Sequence, residues 1–191
     1  CGCRMDIFIV RSLSNRKRKY KSYCSTWIKI AYKKIGFWLY YEAVIVKKDV
    51  GEKSVPIIKV ENPNDVLPIM CSKFYDEPET KMTMIGVTGT DGKTSVSTMV
   101  QTLLGSDKCG YIGTNGRSCA KFKGDNPNTT PDAHLLYLYL DEFVKYGCKY
   151  AVMEASSEAF FRGRLQATYY DITGYTNITS EHLNIHGSFE N

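Results

Sequence analysis

The chain has 191 residues, 43% of them hydrophobic, enough for a packed core in one large domain or one and a half small ones. Its formal charge of +5 is unevenly placed: residues 1–50 hold twelve Lys and Arg against three Asp and Glu, the remainder thirteen against seventeen, so the body of the chain has no general reason to bind nucleic acid. No apolar run approaches the ~18 residues of a membrane span, no secretion signal opens the chain, and seven cysteines scattered at 1, 3, 24, 71, 109, 119 and 148 suit neither a disulfide framework nor zinc, so a cytoplasmic protein without membrane insertion is expected.

Residues 6–10 read as a strand. The basic run 16–21 could touch RNA or an anionic membrane surface, but a solvated tail is the better reading. Residues 27–41 are crowded with Trp27, Tyr32, Phe37, Trp38, Tyr40 and Tyr41 and show no clean helical or strand period. From Ala43 the pattern becomes regular. Short strands are expected over 43–46 and 55–60. Asn62-Pro63 then caps a helix running to about Tyr75, with Pro68 disturbing its first turns. Asp76-Glu77-Pro78 is a turn and a domain boundary, dividing 1–80 from 81–191.

The next stretch organises the chain. An apolar, β-prone run at 82–87 turns through Gly89 and Gly92 into Lys93-Thr94-Ser95, and a helix follows to Leu104. Strand, glycine turn, Lys-Thr and helix are the layout of a phosphate cradle. Glycines let several N–H groups meet one anion, and the helix adds its positive end. Lys93 would reach the outer phosphates and the Thr94 hydroxyl would face a magnesium ion. The usual loop has a further glycine where this chain has Val87, and an ordinary glycine-rich turn is the competing reading.

Downstream, 109–112 is a strand, and 113–124, with Asn115-Gly116 near its start, is a small β excursion. Asn128-Thr129-Thr130-Pro131 is a loop. A helix from Pro131-Asp132 to Tyr146 carries apolar residues at 135, 136, 139, 140 and 143 on one face and is closed by Gly147. A strand over 150–153 ends at Glu154, a short helix lies near 157–162, and a last strand near 170–176. Alternating strands and helices imply an α/β fold with a mainly parallel sheet, helices on both faces and ligands at the strands' C-terminal ends. Lys93, Glu154 and Asn177 each follow a strand and should converge there.

Glu154 at a strand end suits magnesium, and equally suits capping the next helix. His182 and His186 would share a helix face, but zinc needs a third ligand, and Glu181 precedes His182 in the wrong order for a zinc helix, so surface histidines compete. Arg164 offers a fork to carboxylate or phosphate, with solvent exposure as the alternative.

Together the motifs Gly86-Val-Thr-Gly-Thr-Asp-Gly-Lys-Thr94, Gly110-Tyr-Ile-Gly-Thr114, Asn128-Thr-Thr-Pro131, Met153-Glu-Ala-Ser-Ser157, Gly163-Arg164 and Thr176-Asn-Ile-Thr-Ser-Glu-His-Leu-Asn-Ile-His-Gly187 resemble the Mur ligases, in the family's order and over roughly 43–191. The displaced glycine is normal there. The resemblance implies a cytoplasmic, monomeric, ATP- and Mg2+-dependent ligase of peptidoglycan synthesis. Its partners are a UDP-N-acetylmuramoyl dipeptide and an amino acid, lysine or diaminopimelate, joined through an acyl phosphate. It assigns Gly89, Thr90, Asp91, Gly92, Lys93, Thr94, Ser95 and Asn177 to ATP. It assigns Thr94, Glu154 and His182 to magnesium, and Lys93, Glu154 and His182 to catalysis. Thr129, Thr130, Ser156, Arg162 and Arg164 fall to the muramoyl substrate.

By the same resemblance, 1–80 is a small α/β domain for the uridine end and 81–191 the first part of a P-loop ATPase-type central domain. Residues 1–40 depart from the family pattern, as a divergent segment or a shifted reading frame. The family's carbamylated lysine, adenine pocket and amino-acid-binding domain would follow Asn191, so an inactive fragment is expected. A non-catalytic nucleotide- or muropeptide-binding module and a folylpolyglutamate-synthetase-like ligase are the alternatives.

Overall fold

The structure, a computed structural model, describes residues 7–10, 43–48, 51, 57–179 and 187–188. The basic run 16–21, the aromatic segment 27–41 and both His182 and His186 lie outside the described residues. The chain divides into two compact units, residues 1–66 and 67–191.

The first unit holds a three-stranded sheet in the order β1 (Ile7–Val10), β2 (Ala43–Val46), β3 (Ile57–Lys59), antiparallel between β1 and β2 and parallel between β2 and β3. Helix α1 (Pro63–Phe74) begins as expected, with the Asn64 N–H donating to Asn62 Oδ1 at 3.3 Å. It does not break at Pro68. The ladder forgoes the one bond a proline cannot donate, and the helix continues to Phe74.

In the second unit a 3-10 turn (Pro78–Lys81) leads into β4 (Thr83–Thr88), α2 (Lys93–Leu104), β5 (Cys109–Gly113), β6 (Gly116–Cys119), β7 (Phe122–Gly124), α3 (Ala133–Lys145), β8 (Tyr150–Glu154), α4 (Ser157–Phe161) and β9 (Ile172–Tyr175). One six-stranded sheet runs β7-β6-β5-β8-β4-β9. Strands β5, β8, β4 and β9 are parallel, as alternation with helices demands. The excursion at 113–124 is a pair of antiparallel strands that extends this same sheet. Its first turn is made possible by Gly116, whose φ of +95° is left-handed.

The period of two along each strand decides what each face presents. Met84, Ile112, Ala151 and Met153 pack with Leu136, Tyr137, Leu140 and Phe143 of α3. The alternate positions Ile85, Val87, Cys109, Tyr111 and Val152 pack with Val96, Val100 and Leu104 of α2. Glu154 shares the parity of Val152 and Tyr111, so it emerges on the α2 side, where the glycine turn lies. Helix α3 ends where Gly147 (φ +83°) lets the Cys148 N–H reach the Phe143 carbonyl at 3.0 Å.

The four described cysteines, Cys71, Cys109, Cys119 and Cys148, are buried free thiols. Burial pushes Cys71 and Cys148 up to about 12 and Cys109 to about 11, which keeps the reactive thiolate scarce. Among the described residues no helix is long and apolar enough to cross a membrane.

Candidate active site

The turn between β4 and α2 is held from one side. Gly89 has φ +130°, and a Cβ there would sit 2.1 Å from Thr176 Oγ1 and 2.7 Å from the Asn177 carbonyl oxygen. Only glycine lets the turn lie this close to the end of β9. The Thr90 N–H donates to the Asn177 carbonyl and the Asp91 N–H to Asn177 Oδ1, each at 2.9 Å. The Thr176 hydroxyl lies 2.6 Å from the Asp91 carbonyl oxygen. Asn177, expected to touch ATP, thus has its amide engaged in bracing the loop. Lys93 Nζ donates to the carbonyls of Gly89 and Thr90, both at 2.6 Å, and so lies over the turn. Among the described residues the N–H groups of Lys93, Thr94 and Ser95 have no backbone acceptor, as a helix N-terminus leaves them, and they are open to an anion.

Glu154 is fully buried, and four donors converge on it. Oε1 accepts from the Tyr111 hydroxyl at 2.6 Å and the Thr114 N–H at 3.1 Å. Oε2 accepts from Thr94 Oγ1 at 3.0 Å and Thr114 Oγ1 at 3.1 Å. A buried carboxylate is tolerated when its lone pairs are met in this way. Glu154 does not cap the next helix: Ser156 does, accepting the Ala159 N–H at 3.3 Å. The Thr94–Glu154 contact joins the phosphate-type turn to the adjacent strand end. One carboxylate and one hydroxyl are hard oxygen donors of the sort Mg2+ uses together with phosphate and water, and these two side chains fit it. Among the described residues no group of three His, Cys, Asp or Glu could hold a metal alone.

The loop carrying Thr129 and Thr130 lies against the same strand end. Thr130 is 1% exposed, and its hydroxyl donates to the Glu154 carbonyl at 2.7 Å and accepts the Ser156 N–H at 2.9 Å. Arg164 donates to the Thr130 carbonyl at 3.2 Å and pairs with Asp132 at 2.8 Å. Arg162 pairs with Glu158 at 2.6 Å. Both arginines therefore have protein carboxylates for partners. Thr129 stands 3.0 Å, oxygen to oxygen, from Thr114. The structure thus gathers Lys93, Thr94, Glu154, Thr129, Thr130, Ser156 and Arg164 at one end of the sheet, and His182 falls outside the described residues.

Thr130→Val keeps the shape and removes the knot, stranding the buried Glu154 carbonyl and the half-buried Ser156 N–H. A loss of about 2 kcal/mol is expected, lowering Tm by about 4–8 °C in a chain of this size. Thermal unfolding followed by circular dichroism checks it, and a melt within about 1 °C of the unaltered chain would contradict the packing described.

Sequence reasoning passed over Tyr111, Thr114 and Thr176 as contributors to the site. For Tyr111 the link is the pairing of β5 with β8, which gives it the parity of Val152 and Glu154 and which no local run of residues announces.

Comparison with known proteins places this arrangement. The profile of the Mur ligase middle domain matches residues 87–191. A protein of Coxiella burnetii named UDP-N-acetylmuramoyl-L-alanyl-D-glutamate--2,6-diaminopimelate ligase is 35% identical over 167 residues, which cover 86% of this chain and 34% of that one. A like-named protein of Lactiplantibacillus plantarum is 38% identical over 145 residues, 75% of this chain and 29% of its own. A solved structure of a ligase with the same name superposes with a TM-score of 0.63 at 29% identity, covering 76% of this chain and 30% of that chain. The chain spans about a third of the length of these relatives. A sheet with a glycine turn, a Lys-Thr helix start and a clamped strand-end carboxylate, matched over more than half of its length, makes this chain a member of the Mur ligase family.

Proposed function

We propose that the chain supplies the nucleotide-handling part, residues 81–191, of an ATP-dependent ligase that joins diaminopimelate to UDP-N-acetylmuramoyl-L-alanyl-D-glutamate. In this reading 1–80 belongs to the part that meets the uridine end. The observation that carries it is the 3.0 Å contact between Thr94 and Glu154, which puts a metal-competent oxygen pair beside a helix N-terminus shaped for phosphate. The relatives' names support the choice of diaminopimelate over lysine.

A carboxylate is a poor electrophile, and transferring a phosphoryl group to it creates a leaving group that an amine displaces. The residues' share is positioning and charge neutralisation. The free N–H groups from Lys93 to Ser95 would hold phosphate oxygens, with Gly89, Thr90, Asp91 and Gly92 shaping the turn and Asn177 fixing it. Lys93 would exchange two carbonyl acceptors for phosphate. Thr94 and Glu154 would hold Mg2+, with His182 a further ligand. Bound there, the ion neutralises charge on the phosphates. Thr129, Thr130, Ser156, Arg162 and Arg164 would shape the muramoyl side, with Arg164 stiffening the threonine loop.

The test is calorimetric titration of this chain with ATP, with and without Mg2+. Mg2+ is expected to tighten ATP binding, and Glu154→Gln to remove most of that gain while leaving metal-free binding within about twofold. Equal affinities with and without Mg2+ in the unaltered chain would overturn the reading.

A further inference from the structure

The four hydrogen bonds to Glu154 are unequal in kind. On Oε1 both donors are fixed. The Tyr111 hydroxyl is buried with its ring, and its oxygen is held by the Asn115 N–H at 3.3 Å. The Thr114 N–H belongs to the backbone of the β5–β6 turn. On Oε2 both donors are hydroxyls, of Thr94 and Thr114, on side chains that can rotate about one bond. A hydroxyl has one proton and two lone pairs, so Thr94 can change from donor to ligand, whereas a backbone N–H cannot. Thr114 gives its single proton to Glu154, so the 3.0 Å contact with Thr129 must be donated by Thr129. Gly113 leaves room for the arrangement: a Cβ there would lie 2.1 Å from Glu154 Oε1 and 2.4 Å from the Tyr111 oxygen.

We propose that Tyr111 and Thr114 are positioning residues that fix the Glu154 carboxylate, the Tyr111 hydroxyl and the Thr114 N–H by holding Oε1 and the Thr114 hydroxyl by steering Oε2, so that Oε2 is presented to a divalent cation shared with Thr94. The inference rests on the nucleotide reading above. It goes further, because it assigns separate duties to the two carboxylate oxygens and places two residues outside the phosphate turn in control of them. The Thr129–Thr114–Glu154 chain also ties the threonine loop to the same carboxylate, so a ligand that recruits the Thr129 hydroxyl withdraws one bond from Thr114.

The probe is Mn2+–ATP, titrated into this chain and read by water-proton relaxation, with metal-free ATP titrated in parallel. Removing a hydrogen bond that orients a metal ligand typically costs about 10-fold or more in metal affinity. Thr114→Val and Tyr111→Phe are each expected to weaken Mn2+–ATP by about that factor, leaving metal-free ATP within about twofold. Thr114→Ser, which keeps the hydroxyl, is expected to stay close to the unaltered chain. Thr114 is exposed, so its variants keep the test alive if Tyr111→Phe folds poorly. Melting curves exclude a general loss of structure. If Glu154→Gln weakens Mn2+–ATP while Thr114→Val does not, or if Thr114→Val and Thr114→Ser fall equally, the inference is overturned and the nucleotide reading stands. If the unaltered chain binds Mn2+–ATP no better than ATP, both fall.

Discussion

Lys93→Ala is expected to weaken binding of Mg2+–ATP to this chain by about 10- to 100-fold without lowering its Tm by more than about 1 °C. The ammonium group lies 2.6 Å from two neutral carbonyl oxygens, of Gly89 and Thr90, so it is already gathered over the turn where phosphate would sit. Exchanging neutral acceptors for a polyanion is favourable, since hydrogen bonds between charged groups contribute about 1.5–3 kcal/mol each. The loop does not need the lysine to keep its shape. Its N–H groups at Thr90 and Asp91 are held from Asn177, and Thr176 holds the Asp91 carbonyl. Binding and stability should therefore separate. Calorimetry and a melting curve on the same preparation decide, and a variant that binds within about threefold of the unaltered chain removes Lys93 from the phosphate site.

The largest effect on stability is expected away from the site. Gly110 is the second residue of β5, and a Cβ there would come within 2.3, 2.4 and 2.5 Å of three ring atoms of Phe143. Phe143 is completely buried on α3 and stacks on Phe122 with ring centroids 6.0 Å apart, so the ring has nowhere to retreat. Overpacking of this kind costs about 3 kcal/mol, which for a chain of this length corresponds to a fall in Tm of about 6–12 °C. Gly110→Ala tests this directly. Phe143→Leu in the same chain should recover part of the loss, because the two changes meet in one contact and are not additive. A single variant melting within about 2 °C of the unaltered chain would show that α3 does not seat against the sheet as described.

Much of this was legible in residue order because local and global signals agree. The apolar run before Gly89, the cap at Asn62-Pro63 and the glycine closing α3 each depend on a few neighbouring residues, and each element lies within one or two residues of its expected place. Glu154 was legible as a strand-end carboxylate, but its partner was not. Whether it caps the next helix or faces the glycine turn depends on strand order, which puts β8 between β4 and β5. Tyr111 and Thr114 were hidden for the same reason: they reach Glu154 only because β5 and β8 are neighbours. Pro68 misled because a proline's cost was weighed without the packing that offsets it. Leu67 and Cys71 of the same helix pack in the core beside α3.

The way the turn is braced has a consequence for its kinetics. The backbone N–H groups of Thr90 and Asp91 are paired to Asn177, just past β9, and among the described strands β9 has β4 as its one neighbour. Ile172 and Tyr175 on that strand are more than half exposed. An edge strand held on one side opens at a lower free energy than the sheet centre. In hydrogen–deuterium exchange the Thr90 and Asp91 amides should therefore follow the fraying of β9. The Ala155 amide, bonded to the Val87 carbonyl at 2.9 Å between two central strands, should exchange far more slowly. The order of the glycine turn is in this sense borrowed from the sheet's margin, and whatever covers the open side of β9 will slow exchange in the turn without touching it.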